Sequence, residues 1–349
     1  MVNKKSKAVG IWLLSGVFMI IMQVLLGGVT RLTESGLSIT EWKPITGALP
    51  PMSQNAWQTE FEKYKHIGQF QLLHSTFTID DFKFIFFWEW FHRLWARLMG
   101  VVFVVGFAYF LIKKYFDKKM IVPFIILFLL GALQGLIGWI MVASGLNETS
   151  VYVNHIKLAL HFVAALVLLC YTLWFALKLL IPNERIIVSL SINKLTVFSL
   201  ILLSVQLFYG AFMSGLKAAP FAPTWPDVNG SIIPNTFFNF NWVNDPISVQ
   251  FIHRTLAYLL IIVLLFWFVK AKELASIETN SLLNKIVFLP VILTFFQIIL
   301  GIFTILNATK MGNQRFGTYE LLAESHQLFG LFLLVSLMVS LYAVKRKTA

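Results

Sequence analysis

The chain has 349 residues, 58% of them hydrophobic and only 13% charged, with a mean hydropathy of +0.77. A soluble domain carries about 25% charged residues, so the composition excludes that class and sets the chain in a membrane. The formal net charge of +12 does not imply a nucleic-acid partner, because the bases cluster at the ends of apolar runs, as topology signals do.

A spanning helix needs about 20 largely apolar residues. Eight such runs occur, over residues 9–29, 86–112, 121–142, 157–180, 195–214, 249–269, 285–307 and 323–344. The expected fold is all-α integral membrane, surrounded by lipid. The first run follows Lys4, Lys5 and Lys7 but is long for a signal-peptide core and lacks an Ala-x-Ala cleavage site, so it reads as a retained helix. With the N-terminus inside, the inner segments hold 16 of the 28 basic residues, from Lys4 to Lys347, against 4 of the 16 acids. The positive-inside rule then puts both termini in the cytoplasm, or in the equivalent organelle compartment. The long outer segments, 30–85 and 215–248, are rich in Gly, Pro, Asn and Trp and predict ordered turns over the membrane surface. Cys170 is the one cysteine; it cannot form an intrachain disulfide and reads as a small core residue.

The chain repeats itself. "ESGLSITEW" after the first helix resembles "MSGLKAAPFAPTW" after the fifth. "EWFHRLWARL" resembles "QFIHRTLAYL", and "LQGLIGWIMVASGLN" resembles "FQIILGIFTILN". Two pseudo-symmetric four-helix bundles are expected, residues 1–190 and 191–349, related by an axis along the membrane normal. Four-helix bundles bind cofactors between facing helices.

Four of the seven histidines fall in the even-numbered helices: His92, His161, His253 and His326. All four helices run from outside to inside. Each histidine is expected within the first two turns, which places all four near the outer leaflet. The spacing is 69 residues in the first half and 73 in the second, so each half holds one pair. Two imidazoles facing each other can supply both axial ligands of a haem iron. Ionisable groups inside a membrane are functional by default. Four residues after each histidine comes Ala96, Ala165, Ala257 or Gly330, on the same face, leaving room for a flat macrocycle or simply for close helix approach. His66, His74 and His155 read as solvated or interfacial.

Arg93 and Arg254 each follow a histidine directly and are candidate anchors for haem propionates, with snorkelling to headgroups as the alternative. Lys157 is a weaker candidate of the same kind, and Arg97 is ambiguous between headgroups and haem. The halves differ three residues before the histidine, where Glu89 in the first half is matched by Gln250 in the second. A glutamine cannot exchange a proton at ordinary pH, so acid–base chemistry is assigned to Glu89 and electron transfer to the second half. An ion pair to Arg93 at i+4 is the competing role for Glu89. Glu324 reads as interfacial.

"GGVTRLTESGLSITEWKPITGALPP", "EFEKYK", "FKFIFFWEWFHRLWARLMG", "LALHFVAALVL", "FIHRTLAYL" and "SHQLFGL" resemble the haem A synthase family, from about residue 27 to residue 340. Without paired loop cysteines, the chain is similar to the mitochondrial and proteobacterial branch. The resemblance implies oxidation of a ring methyl of haem O to the formyl group of haem A, through a hydroxymethyl intermediate, for cytochrome oxidase. It implies haem O on His92 and His161, a haem b cofactor on His253 and His326, and an essential acid at Glu89. It also implies an electron acceptor that the sequence does not name and a bacterial cytoplasmic membrane location. Haem O synthase or oxidase assembly factors are partners by pathway logic, and homo-oligomerisation is compatible with such a bundle. The competing class is a non-catalytic dihaem b-type electron-transfer protein, which four histidines fit equally well.

Overall fold

The computed structural model describes residues 3–43, 46–312 and 315–346. Lys347 and the Pro44–Ile45 step of the first-loop motif lie outside them. Among the described residues, eight helices are long and apolar enough to cross a membrane, and the chain is an all-α multi-pass membrane protein.

The first spanning helix, α1 (Lys4–Leu32), is capped by the Asn3 side chain. The outer segment that follows is not turns alone. It forms α2 (Gln54–Lys65) and α3 (Gly68–Leu72), whose aromatic faces pack on the next span: Phe61 stacks on Phe82 with ring centres 5.1 Å apart, and Trp57 meets Phe86 edge-on at 5.0 Å. That span, α4 (Ile79–Ile112), starts at a Thr78–Asp81 capping box, earlier than the apolar run indicates. A capping box satisfies amide groups that a helix end leaves open, so α4 projects beyond the hydrocarbon and His92 lies almost four turns along it rather than within two.

Next come α5 (Lys118–Ala143), α6 (His155–Leu180) and α7 (Leu190–Gly215), then α8 (Pro246–Ile277), α9 (Leu282–Ile286), α10 (Leu289–Leu306) and α11 (Thr318–Ala343). The seventh predicted run, 285–307, is therefore two helices. Pro290 has no N–H to give the Ile286 carbonyl, which breaks the ladder between α9 and α10. A short parallel pair, β1 (Ile187–Val188) and β2 (Val344–Lys345), ties the α6–α7 linker to the end of α11.

Helices α1, α6, α7 and α11 bury 39–50% of their apolar windows, whereas α4, α5, α8 and the α9–α10 span bury 6–22%. The first four are the inner helices and the others form the lipid-facing layer. Leu13, Leu169, Leu173, Leu331 and Leu337 lie in the inner core, while Val104, Val105, Ile262 and Phe295 face outward. Every histidine pair joins the layers, with His92 on α4 and His161 on α6, His253 on α8 and His326 on α11.

The outer ends of α1 and α7 are joined through Glu34, just past α1. Its carboxylate meets His74 Nε2 at 3.0 Å and the Tyr152 hydroxyl at 3.1 Å, and it pairs with Lys217, just past α7. Both Glu34 (φ 58°) and Lys217 (φ 48°) adopt the left-handed conformation that disfavours L side chains. His74 is buried, 4% exposed, with Tyr64 Oη 2.7 Å from its Nδ1. This corrects its reading as solvated: α2 and α3 fold over it. Exposed His66 ends α2, and His155, half-buried, opens α6 against Phe212. Burial alone favours the neutral acid at Glu34. The His74 hydrogen bond and the charge and hydrogen bond of Lys217 outweigh it and pull the pKa down to about 2. This stabilisation is therefore fully present above the ordinary value of 4.5 and is lost as the pH falls toward about 2. Lys217→Met is expected to cost about 1–3 kcal/mol at pH 7, read as a lowered thermal midpoint in detergent. The gap to wild type should close at acidic pH; a gap constant from pH 7 to pH 3 contradicts the ion-pair account.

Candidate haem site

The rings of His253 and His326 face each other with centres 6.3 Å apart and planes at 79°. Two imidazoles bound to one iron from opposite faces, with metal–nitrogen bonds of about 2 Å, place their centres about 6–6.5 Å apart. Nδ1 of both rings is buried with no hydrogen-bond partner. Spacing and donor set thus fit a bis-imidazole haem.

Each histidine is met by a glutamine and a glycine from the preceding spanning helix. Gln23 Nε2 on α1 lies 3.2 Å from His92 Nδ1 and 3.1 Å from its Nε2, and donates to the His92 carbonyl at 3.2 Å. Gln134 on α5 makes the same contacts to His161 Nδ1 and carbonyl, both at 3.2 Å. Gln206 Nε2 on α7 is 3.4 Å from His253 Nε2. Gln297 on α10 donates to the His326 carbonyl at 2.6 Å. One turn after each glutamine is Gly27, Gly138, Gly210 or Gly301. A side-chain carbon there would sit 3.1, 2.7, 3.3 or 3.1 Å from the Cε1 of the facing histidine. The signal was present in the sequence as Gln-x-x-x-Gly in all four odd-numbered spans, "QVLLG", "QGLIG", "QLFYG" and "QIILG". It is faint because Gln in an apolar helix is chemically quiet and Gly is usually a packing residue.

The tightest of these approaches gives a prediction. The atom nearest a new carbon at Gly138 is the far end of the His161 ring, which can swing aside at little cost to the fold. Gly138→Ala is expected to keep the wild-type thermal midpoint within a few degrees while weakening the binding of added haem between His92 and His161 at least ~10-fold. Wild-type affinity for added haem in that variant would show that the close approach has no role in ligand placement.

Glu89 is buried, 2% exposed. Its Oε1 accepts from Arg93 at 2.6 Å; its Oε2 accepts from Ser38 Oγ and the Ile39 N–H, both at 2.7 Å. The ion pair weighed as a competing role is thus formed, and it leaves one of the four carboxylate lone-pair positions unoccupied. Gln250, its counterpart, is fully buried and donates to the Ala219 carbonyl at 3.3 Å.

Arg93 also donates to the Ile39 and Glu41 carbonyls, Arg254 to those of Ala222 and Asp227, and Arg97 to that of Lys43. Each arginine pins an outer loop over its helix. Lys157 lies in the first turn of α6, its backbone N–H on the Asn154 cap. Among the small residues, a side chain at Gly330 would press on Gln297, whereas one at Gly100 would meet nothing within 4 Å. Gly330 thus makes room for the glutamine of its own pair.

Glu324 is buried, 7% exposed, with Oε2 unpartnered, and its carboxylate presses on Gly28, beside the Gly27 that faces His92. Gln327 donates to the Val24 carbonyl at 3.1 Å across the same crossing of α1 and α11. The absence of a side chain at Gly28 leaves the space that the ends of Glu324 and Gln327 occupy.

The fold and this geometry define a multi-pass helical membrane protein in which His253 and His326 are spaced for haem. Residues 10–338 match the COX15-CtaA family model, described as a cytochrome oxidase assembly protein. The chain is 38% identical to the protein named Heme A synthase of Flavobacterium johnsoniae, over 99% of this chain and all of that one. It is 37% identical to the Heme A synthase of Flavobacterium psychrophilum, over 88% of this chain and 92% of that one. It is 43% identical to the Heme A synthase of Rhodospirillum centenum, over 74% and 71% respectively. The chain belongs to the COX15-CtaA family.

Proposed function

We propose that the chain is a haem A synthase that oxidises a ring methyl of haem O to the formyl group of haem A, by way of the hydroxymethyl compound, for cytochrome oxidase. Its relatives' names support the activity. The observation that carries an enzymatic role over simple electron transfer is the single carboxylate. Glu89 stands three residues before His92, on the same face, while the second pair has Gln250 in that place.

In this reading the half 1–190 binds haem O through His92 and His161, and the half 191–349 would hold a haem b through His253 and His326. When bound, that second group would supply one-electron transfer, with the electrons taken from the methyl passing to an acceptor outside the chain. The protein's own residues orient and protect. Arg93, Ser38 and Ile39 fix the Glu89 carboxylate, and its remaining lone pair takes a proton from an attacking water or stabilises positive charge on the reacting carbon. Arg93 and Arg254 turn guanidinium groups toward the outer loops, where propionates would compete with backbone carbonyls for them, and Lys157 offers a third cation. In this reading both termini lie in the cytoplasm of a bacterial cell, an orientation that the basic clusters on the inner segments support, with the haem sites toward the outer leaflet.

The test is pigment extraction after co-expression with a source of haem O. Haem A is expected only when this chain is present. Bound haem with no haem A, under conditions in which a related synthase makes it, refutes the activity.

A further inference from the structure

Four glutamines face four histidines, and this recurrence has no packing explanation. A buried carboxamide is costly in a membrane unless its groups are satisfied, and a leucine would fill the same volume more cheaply. Yet Gln23, Gln134, Gln206 and Gln297 each sit one turn before the glycine that abuts the facing ring. Three of them, Gln23, Gln134 and Gln297, donate Nε2 to the backbone carbonyl of the histidine they face. Oε1 of Gln23, Gln134 and Gln206 is buried without a partner, as is Nδ1 of His253 and His326. In the first half the amide nitrogen is already 3.2 Å from Nδ1, so the amide oxygen is within one side-chain rotation of it. A spare acceptor and a spare ring nitrogen occur together at Gln206 and His253, where the amide nitrogen stands 3.4 Å from Nε2 and a turn of the ring and amide brings Oε1 to Nδ1.

We propose that these four glutamines are positioning residues for the haem-ligating histidines. Each accepts the Nδ1–H of its histidine through Oε1, so that Nε2 is the nitrogen presented to iron, and Gln23, Gln134 and Gln297 also anchor on the histidine's helix. A histidine that ligates a metal through one nitrogen characteristically donates the other to an acceptor, which fixes tautomer and ring plane and raises ligand basicity. Gly27, Gly138, Gly210 and Gly301 let the ring come close enough for this contact. The inference rests on the haem-ligand reading of the histidines.

The test uses the purified full-length protein with the haem it retains, comparing Gln206→Leu, Gln206→Glu and His253→Ala with wild type by haem content, redox titration and the low-temperature paramagnetic resonance spectrum of the oxidised haem. Gln206→Glu keeps the acceptor and strengthens it, so the midpoint potential is expected to fall with haem content retained. Gln206→Leu removes the acceptor, so the potential is expected to rise, the low-spin signal to broaden and retained haem to drop at least ~10-fold. If Gln206→Leu does not accumulate, Gln206→Glu alone decides through its potential. Wild-type potential and spectrum in both Gln206 variants, with haem lost in His253→Ala, overturns the positioning role. Wild-type haem in His253→Ala instead overturns the ligand assignment beneath it.

Discussion

Replacing Glu89 by glutamine is expected to lower haem A formation by at least ~100-fold while leaving bound haem within about twofold of wild type. The change is nearly isosteric. Its amide oxygen still accepts from Ser38 and Ile39, but its amide nitrogen then faces Arg93, donor against donor, where the carboxylate had accepted at 2.6 Å. That loss costs about 1–3 kcal/mol, which an eight-helix protein with a large apolar core tolerates. The second half already contains the control: Gln250 occupies the same repeat position and is fully buried without disturbing its helix. Loss of product with haem retained therefore isolates chemistry from folding. Near-normal haem A from Glu89→Gln would remove Glu89 from the reaction and leave it as a staple for the first outer loop.

The second large effect separates the two pairs. His253→Ala and His326→Ala are each expected to lower the haem retained after purification at least ~10-fold, with product formation lost as a consequence. His92→Ala and His161→Ala are expected to retain that haem and lose product alone. The prediction follows from the 6.3 Å spacing of the His253 and His326 rings, which matches two ligands on one iron, and from Glu89 standing beside His92. Equal loss of haem in all four variants would instead describe two equivalent haem sites, as in an electron-transfer protein.

Much of the fold was legible because the lipid environment leaves few options. A backbone in hydrocarbon must satisfy its own hydrogen bonds, so eight apolar runs become eight helices, and their order follows from the loops. The misread boundaries have local causes. The capping box at Thr78 extends α4 beyond its apolar run, and Pro290 splits the seventh span. The histidines were visible because an ionisable group in an apolar run is conspicuous. Their glutamine and glycine neighbours were not, since those residue types carry no charge and their meaning depends on which helix they face.

The sequence by itself determined the membrane class, the eight spans, the four histidines in two repeats and the one carboxylate that breaks the repeat. Each of these is a matter of composition or spacing along one chain. Only the tertiary structure decided what meets what. It set His253 opposite His326, wrapped Glu89 with Arg93, Ser38 and Ile39, buried His74 under the first outer loop, and pressed Glu324 of the second half against Gly28 of the first. Helix packing fixes such contacts through angles and rotations that residue spacing does not encode.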